Sequence, residues 1–310
     1  MSALRVVFFG SPDFALPSLA AVAACHEVVA VVTQPDRPSG RGAKLQPSPV
    51  KVLASEKGLR VLQPQKIRDG VLLRWLVELA PDLFVVVAYG RILPPDLLAV
   101  PRLGPWNVHA SLLPKFRGAA PVQWAVIRGE TSTGVCVMRM EAGLDTGPVA
   151  ALATEPISER DTAGSLAERL APLGSRLLLE TLPRIADGSV VLREQDHAAA
   201  TFAPILTKAD GQLDFAQPAA AVSARARGVD PWPGAATTLG TEVIKVFGPV
   251  LVPGAGRPGE VLGLVDQGLA VACGAGAVAF AEIQMPSRKR LPARALLTGH
   301  PIPPGTRLGS

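Results

Sequence analysis

Asn107 and His109 stand two residues apart in the run WNVH. That run follows PRLGP and leads into ASLLPKFRGAAP, both of which proline and glycine keep out of regular structure. If WNVH is a strand, its period of two puts both side chains on one face. An amide donor and an imidazole would then meet at a strand end. The pairing suits a reaction in which negative charge develops on an oxygen while a proton moves. Each residue alone also has an ordinary structural reading as a satisfied polar side chain. A second stretch, MRMEAGLDTGP, follows alternation around Val135 and Val137 and turns at Gly143, Asp145 and Gly147. Asp145 is either a turn-forming residue or a carboxylate that orients and charges an imidazole, and residue types do not choose between the two. His and Cys nowhere show metal-ligand spacing, so no metal site is expected. Cys136 on its strand reads as inert packing.

The elements that must position these residues can be read from the apolar runs. Buried strands are expected at Leu4 to Phe9, Val28 to Thr33 and Leu83 to Ala88, with a short one at Leu59 to Leu62. Helical patterns lie at 49–58 and 71–79, and Ser11 is placed to cap a helix whose first residue is Pro12. This alternation predicts an α/β unit with a Rossmann-like, mostly parallel sheet and helices on both faces. GSPDF has one glycine where the dinucleotide fingerprint has three, so no NAD site is expected. A long helical pattern at 161–186 leads into a linker near 187–202. Beyond residue 235 the runs VIKVFGPVLV, GEVLGLV, GLAVAC and AVAFAEIQM are short, β-type and separated by turn residues. They predict a small barrel. The expected division is a first domain at 1–204 and a second at 205–310.

The chain's 310 residues suit about two domains, and its net charge is +5. Residues 201–310 hold a net +3 of that charge. Between the second strand and the helix at 49 runs QPDRPSGRGAKLQPSPVK, long for a loop of its kind. It carries Arg37, Arg41, Lys44 and Lys51, with no acid after Asp36. It reads as a mobile, anion-binding element. The three cysteines are dispersed and odd in number, which argues against a disulfide framework and for a reducing compartment, here the cytoplasm. The first apolar run is too short for a signal peptide. The longest, VLLRWLVELAPDLFVVVAY, is interrupted by Arg74, Glu78 and Asp82 and cannot span a membrane.

Taken together, these stretches resemble the methionyl-tRNA formyltransferases, the tRNA-acting members of the folate-dependent formyltransferase family. The resemblance runs through FFGSPDFA, the QPDRPSGRGAKLQPSPVK loop, VVVAYGRILP, NVHASLLPKFRGAAPVQWA, TGVCVMRMEAGLDTG, FAPILTKADGQLDF and RGVDPWPGA, and reaches RKRLPA near residue 290. The NVHxSLLPxxRGxxP and GLDTG patterns belong to folate-dependent formyltransferases generally, and the long loop narrows the likeness to the tRNA-acting members. The chain departs from the common pattern at Cys136, Pro148 and Asp230.

The resemblance implies a Rossmann-like catalytic domain followed by an OB-like barrel. It implies transfer of a formyl group from 10-formyltetrahydrofolate to the α-amino group of methionine on initiator tRNA. The family's catalytic Asn, His and Asp fall on Asn107, His109 and Asp145, and its folate-contacting segment on Ser111, Leu112, Leu113 and Pro114. In that reading Asn107 donates to the developing oxyanion, His109 stabilises it or shuttles the proton, and Asp145 holds the imidazole and its charged form. Tyr89, Gly90 and Ile92, at a strand exit, can form part of the folate slot. Arg37, Arg41 and Lys44 are expected to meet tRNA, with Arg288, Lys289 and Arg290 adding phosphate contacts, and the protein to work as a monomer. Three rivals share parts of this pattern: a sugar-nucleotide formyltransferase, a hydrolase that releases formate from the same donor, and a non-catalytic RNA-binding module.

Overall fold

The run RVVFFG is apolar on both of its alternating faces, so it forms a stable strand only where both faces are covered. The computed structural model describes residues 3–39 and 44–309, the side chains of Pro38, Ser39 and Lys44 apart. It places that run at the centre of a sheet. In chain order the elements are β1 (Arg5–Gly10), α1 (Leu16–Cys25), β2 (Glu27–Val32), β3 (Arg37–Ser39), β4 (Lys44–Gln46), α2 (Pro49–Glu56), β5 (Val61–Leu62), α3 (Val71–Leu79), β6 (Leu83–Val87), α4 (Pro95–Leu98), β7 (Pro105–His109), β8 (Arg117–Gly118), α5 (Pro121–Ile127), β9 (Ser132–Arg139), β10 (Val149–Pro156), α6 (Ala163–Ala186) and β11 (Phe202–Ala203). The remainder are α7 (Ala219–Gly228), β12 (Ala235–Leu239), β13 (Glu242–Val252), β14 (Val261–Val265), β15 (Gly268–Ala272), β16 (Ala277–Gln284), β17 (Leu291–Pro292) and α8 (Ala293–Gly299).

Seven strands form one sheet in the order β10-β9-β7-β6-β1-β2-β5. The pairs β5–β2, β2–β1, β1–β6 and β6–β7 are parallel, and β7–β9 is antiparallel. Val7 and Phe9 of β1 join Leu72 and Leu76 of α3 and Leu97 of α4 in one buried cluster. Val6 and Phe8 point to the opposite face by the strand's period of two, and they are equally buried. Both faces are therefore covered, as the apolar run requires.

Two sequence expectations change. Ser11 does not cap a helix. Its hydroxyl accepts from the Gln34 N–H and the Thr33 hydroxyl, each at 3.2 Å, because the end of β2 lies beside it. The chain makes a short 3-10 turn at 13–15 before α1 begins, with Pro17 in its first turn. The cap falls instead on Ser48, whose hydroxyl accepts the Lys51 N–H at 3.1 Å at the start of α2. The long loop after β2 also holds two short strands, β3 and β4, which pair antiparallel.

The second sheet is antiparallel in the order β12-β13-β16-β15-β14, with β17 on β16. Its outer edges do not stay open. Leu308 bridges Leu239 of β12, and the neighbouring Arg307 bridges Glu260 ahead of β14. Backbone bonds from Gly309 N–H to Thr238 and from Val261 N–H to Thr306, at 3.0 and 2.8 Å, complete the seam. Residues 305–309 thus close the sheet into the small barrel.

The sequence places one boundary near residue 205. The chain divides into two compact units, and the second takes in 122–132 and 156–166 besides the residues from 204 onward. Side chains of α7 hold these earlier stretches. Arg227 donates to the Asp161 carbonyl at 2.9 Å, and the Arg225 guanidinium lies 5.6 Å from the Trp124 ring.

Candidate active site

Strand β7 ends at His109 because Ala110 begins the proline-broken loop. Asn107 lies opposite Met138 and His109 opposite Cys136 on β9. Directly opposed residues share a face, so Asn107, His109, Cys136 and Met138 all point the same way. Cys136, Met138 and Val149 form a small apolar cluster against which Leu113 packs. Burial of Cys136 pushes its thiol up to about 12, so it stays protonated and unreactive at neutral pH.

His109 is buried, and its two ring nitrogens have different neighbours. Nε2 lies 3.0 Å from the carbonyl oxygen of Phe116. A carbonyl only accepts, so Nε2 carries a proton. Nδ1 lies 3.7 Å from Oδ2 of Asp145. An imidazolium here would direct both N–H groups toward acceptors. The same Asp145 oxygen accepts the Gly118 N–H at 2.8 Å. Asn107 is partly exposed, and its carboxamide makes no side-chain hydrogen bond among the described residues. It is a donor without an internal acceptor, beside the imidazole.

The turn that carries Asp145 is tightly determined. Asp145 has φ +50°, a left-handed conformation that asparagine and aspartate tolerate better than most residues. A Cβ at Gly147 would stand 1.9 Å from the Arg139 carbonyl, so only glycine fits there. The Gln195 amide donates to the carbonyls of Asp145 and Gly147 at 2.9 and 2.6 Å. Gln195 Oε1 in turn accepts from Nε and Nη2 of Arg117 at 3.1 and 2.7 Å. Arg117 Nη2 also donates to Nδ1 of His197 at 3.0 Å. Segment 116–118 is held in its turn by 201–203. The Thr201 hydroxyl accepts the Phe116 N–H at 2.9 Å, and β8 pairs with β11. At Gly118, with φ +124°, a Cβ would meet the Ala203 carbonyl at 2.6 Å.

The loop after His109 is also self-supporting. The buried Ser111 hydroxyl donates to the Lys115 carbonyl at 2.6 Å, and the Lys115 N–H bonds Leu112 at 3.1 Å. Ser111 therefore shapes the loop, and Leu112, Leu113 and Pro114 are its partly exposed members. At the exit of β6, the Tyr89 ring is buried 5.4 Å from Phe9 in an edge-on contact, so Tyr89 offers backbone and not its ring. Gly90 is exposed with φ +75°, and Ile92 is 67% exposed. The Tyr89 carbonyl accepts from Gln34 at 2.7 Å.

The basic positions separate. Arg37 is exposed and its guanidinium donates to Gln34. Arg41 lies outside the described residues, as does the side chain of Lys44. Arg288 and Lys289 are exposed. Arg290 is engaged within the second unit. It donates to Glu282 at 2.6 Å, lies 3.4 Å from Asp230 and stacks 3.9 Å over the Phe247 ring. Its charge is thus matched internally. No group of three or more His, Cys, Asp or Glu that could hold a metal occurs among the described residues, and no helix there is long and apolar enough to cross a membrane.

A family model described as formyl transferase matches residues 4–182, and one described as formyl transferase, C-terminal domain, matches 205–301. The chain belongs to the formyl transferase family. Among curated relatives of this family, the methionyl-tRNA formyltransferase of Citrifermentans bemidjiense is 46% identical over 310 residues, covering 100% of this chain and 98% of that one. That of Myxococcus xanthus is 47% identical over 307 residues, covering 99% and 98%. Solved structures share the fold at lower identity. An N-formyltransferase from Helicobacter canadensis, in complex with folinic acid and dTDP-3-aminofucose, aligns with a TM-score of 0.68 at 17% identity over 91% of this chain and 99% of that one. HypX from Aquifex aeolicus, in complex with tetrahydrofolic acid, aligns with a TM-score of 0.65 at 18% identity, covering 96% of this formyl transferase and 47% of HypX.

Arg117 and Gly118 are the RG of the NVHxSLLPxxRGxxP pattern, which marks the two positions without giving either a role, and Phe116 carries no mark of its own. Gln195 falls in what reads as a linker, and nothing in its neighbours marks it.

Proposed function

We propose that this chain transfers the formyl group of 10-formyltetrahydrofolate to the α-amino group of methionine on initiator tRNA, giving N-formylmethionyl-tRNA. The observation that carries the reading is the unbonded Asn107 carboxamide beside an imidazole with Asp145 3.7 Å away, in a chain of this family. Whole-chain identity of 46–47% to relatives named methionyl-tRNA formyltransferase supports the acceptor. In this reading residues 1–204 are catalytic and 205–310 bind tRNA. The dispersed thiols support a cytoplasmic setting.

The folate supplies the formyl carbon on its N10 nitrogen. The partly exposed Leu112–Pro114 edge and the exposed Gly90 and Ile92 suit a flat, mostly apolar ring with backbone hydrogen bonds at its rim. Asn107 donates to the formyl oxygen as it gains negative charge, a contribution of ~3 kcal/mol for one such donor. The attacking amine must lose a proton and the departing nitrogen must gain one. His109 can carry that proton at Nδ1, with the Asp145 carboxylate opposite to stabilise the cation while it is held. No covalent enzyme intermediate is needed, in keeping with the inert Cys136. Arg37, Arg41 and Lys44, with Arg288 and Lys289, are assigned to tRNA phosphates.

The test is formylation by the purified chain with 10-formyltetrahydrofolate, offering Met-tRNA, a nucleotide-linked amino sugar, or no acceptor. Formyl-methionyl-tRNA as the product supports the proposal. Preferential formylation of the sugar, or formate release that ignores acceptors, overturns it.

A further inference from the structure

The Asp145 carboxylate and its backbone are gripped from one two-residue strand. The Gly118 N–H bonds the carboxylate at 2.8 Å. The side chain of the preceding Arg117 reaches the backbone of the same turn through Gln195. A guanidinium has only donors, so it fixes which end of the Gln195 amide is oxygen. The NH2 end is then left to donate to both carbonyls of the turn. Arg117 is 4% exposed and has no carboxylate within ion-pairing distance among the described residues. A buried cation with neutral partners is costly to maintain, so packing alone does not explain it. Asp145, for its part, has φ +50°, and the two bonds from Gln195 hold the turn on either side of it.

We propose that Arg117 and Gln195 are positioning residues for catalysis. They hold the Asp145 turn so that its carboxylate faces His109, and they act on the reaction only through Asp145. This rests on the role given to Asp145 above. A shift of about 1 Å in a reacting geometry can lower a rate about a hundredfold. Losing the two N–H donors of Gln195 should therefore lower kcat by about 10–100-fold. KM for the folate donor and for Met-tRNA should stay near the parent's.

Two substitutions separate this from a structural role. Gln195→Glu keeps the shape and an acceptor for Arg117 but removes both donors to the turn. Gln195→Ala removes everything. Each is measured for kcat, KM and thermal midpoint, alone and combined with Asp145→Ala. The expected result is a large kcat loss in both, a near-parental midpoint for Gln195→Glu, and no further loss when either joins Asp145→Ala. Losses that multiply in the double variants, or a Gln195→Glu enzyme with parental kcat, overturn the proposal while leaving Asp145's role intact. Full activity of Asp145→Ala alone removes the proposal together with the role it rests on.

Discussion

Asp36 and Asp145 both lie in polar segments beyond strands of the first unit's sheet, and their surroundings differ in kind. Both oxygens of Asp36 are taken, one by Lys51 and the other by Gln63, each at 2.7 Å. Those two hydrogen bonds hold its carboxyl below the usual carboxylate range. Among the described residues, Asp145 has a single backbone N–H on Oδ2 and an imidazole 3.7 Å from the same atom. A saturated carboxylate is an anchor, and here it ties α2 and β5 to the base of the β3–β4 hairpin. A carboxylate with remaining acceptor capacity, facing a ring that can gain a proton, can respond to charge that comes and goes during turnover. The residue type is the same, and the count of donors around it separates the two roles.

The largest effects should fall on the open site. His109→Ala is expected to lower kcat by about 10²–10⁴, and Asn107→Ala by about 10²–10³. Binding of Met-tRNA, measured directly, should change little for either, because the proposed role of both side chains is on charge that develops in transfer. Parental kcat in either variant removes that residue's role. Asp36→Asn, measured beside them, should keep kcat close to the parent's. If it lost as much activity as the Asn107 variant, the contrast between anchor and reactive carboxylate would break.

A smaller effect is expected at the cations proposed to meet tRNA. Arg41→Ala should reduce the slope of log affinity against log salt by about one unit and leave folate binding unchanged. Arg290→Ala should leave the slope alone and lower the thermal midpoint, since its charge is already matched by Glu282 and Asp230. Equal slopes for Arg41→Ala and the parent would make that loop ordinary solvated surface.

Acid titration gives a smaller signal still. Asp36 titrates below its ordinary value of 3.8 in the folded chain. The unfolded chain therefore binds more protons between the two values, and stability falls as pH drops from about 4 toward the folded value. Asp36→Asn should flatten that part of the curve of thermal midpoint against pH. An unchanged curve means that Lys51 and Gln63 do not hold the carboxylate as described.

The smallest expected change is chemical and leaves activity aside. Burial pushes Cys136 to about 12 and Cys273 to about 11, whereas Cys25 is exposed. A thiol reagent at neutral pH should label one cysteine per folded chain, and peptide mass should place the label on Cys25. Labelling of Cys136 would show that the apolar cluster beside His109 opens.

What the sequence disclosed follows the range of each interaction. The strand that presents Asn107 and His109 is local, and so is the turn around Asp145; period and turn residues announce both. The helix at 71–79 is local and was legible to the residue. Ser11 misled because its hydroxyl has two possible partners, the next turn of its own chain or the end of β2, and only the sheet order decides. Gln195 was invisible for a stronger reason. Its bonds reach Arg117 and Asp145 across long stretches of chain, and such pairing leaves no periodic trace. The excursions at 122–132 and 156–166 belong to the second unit through side chains of α7, again without a local mark.

The seam made by residues 305–309 sets the order in which the barrel can be completed. Its neighbours β12 and β14 are drawn from early and middle parts of that unit's sheet, so the hairpins between them can pair before the seam arrives. Until it does, two rows of backbone N–H and C=O groups stand open to other chains. Pairing that spans nearly the whole sheet is slow to find relative to neighbouring hairpins. Refolding at high protein concentration should therefore favour chain-to-chain strand addition at these two rows, and a short peptide matching 303–309 supplied in excess should suppress it.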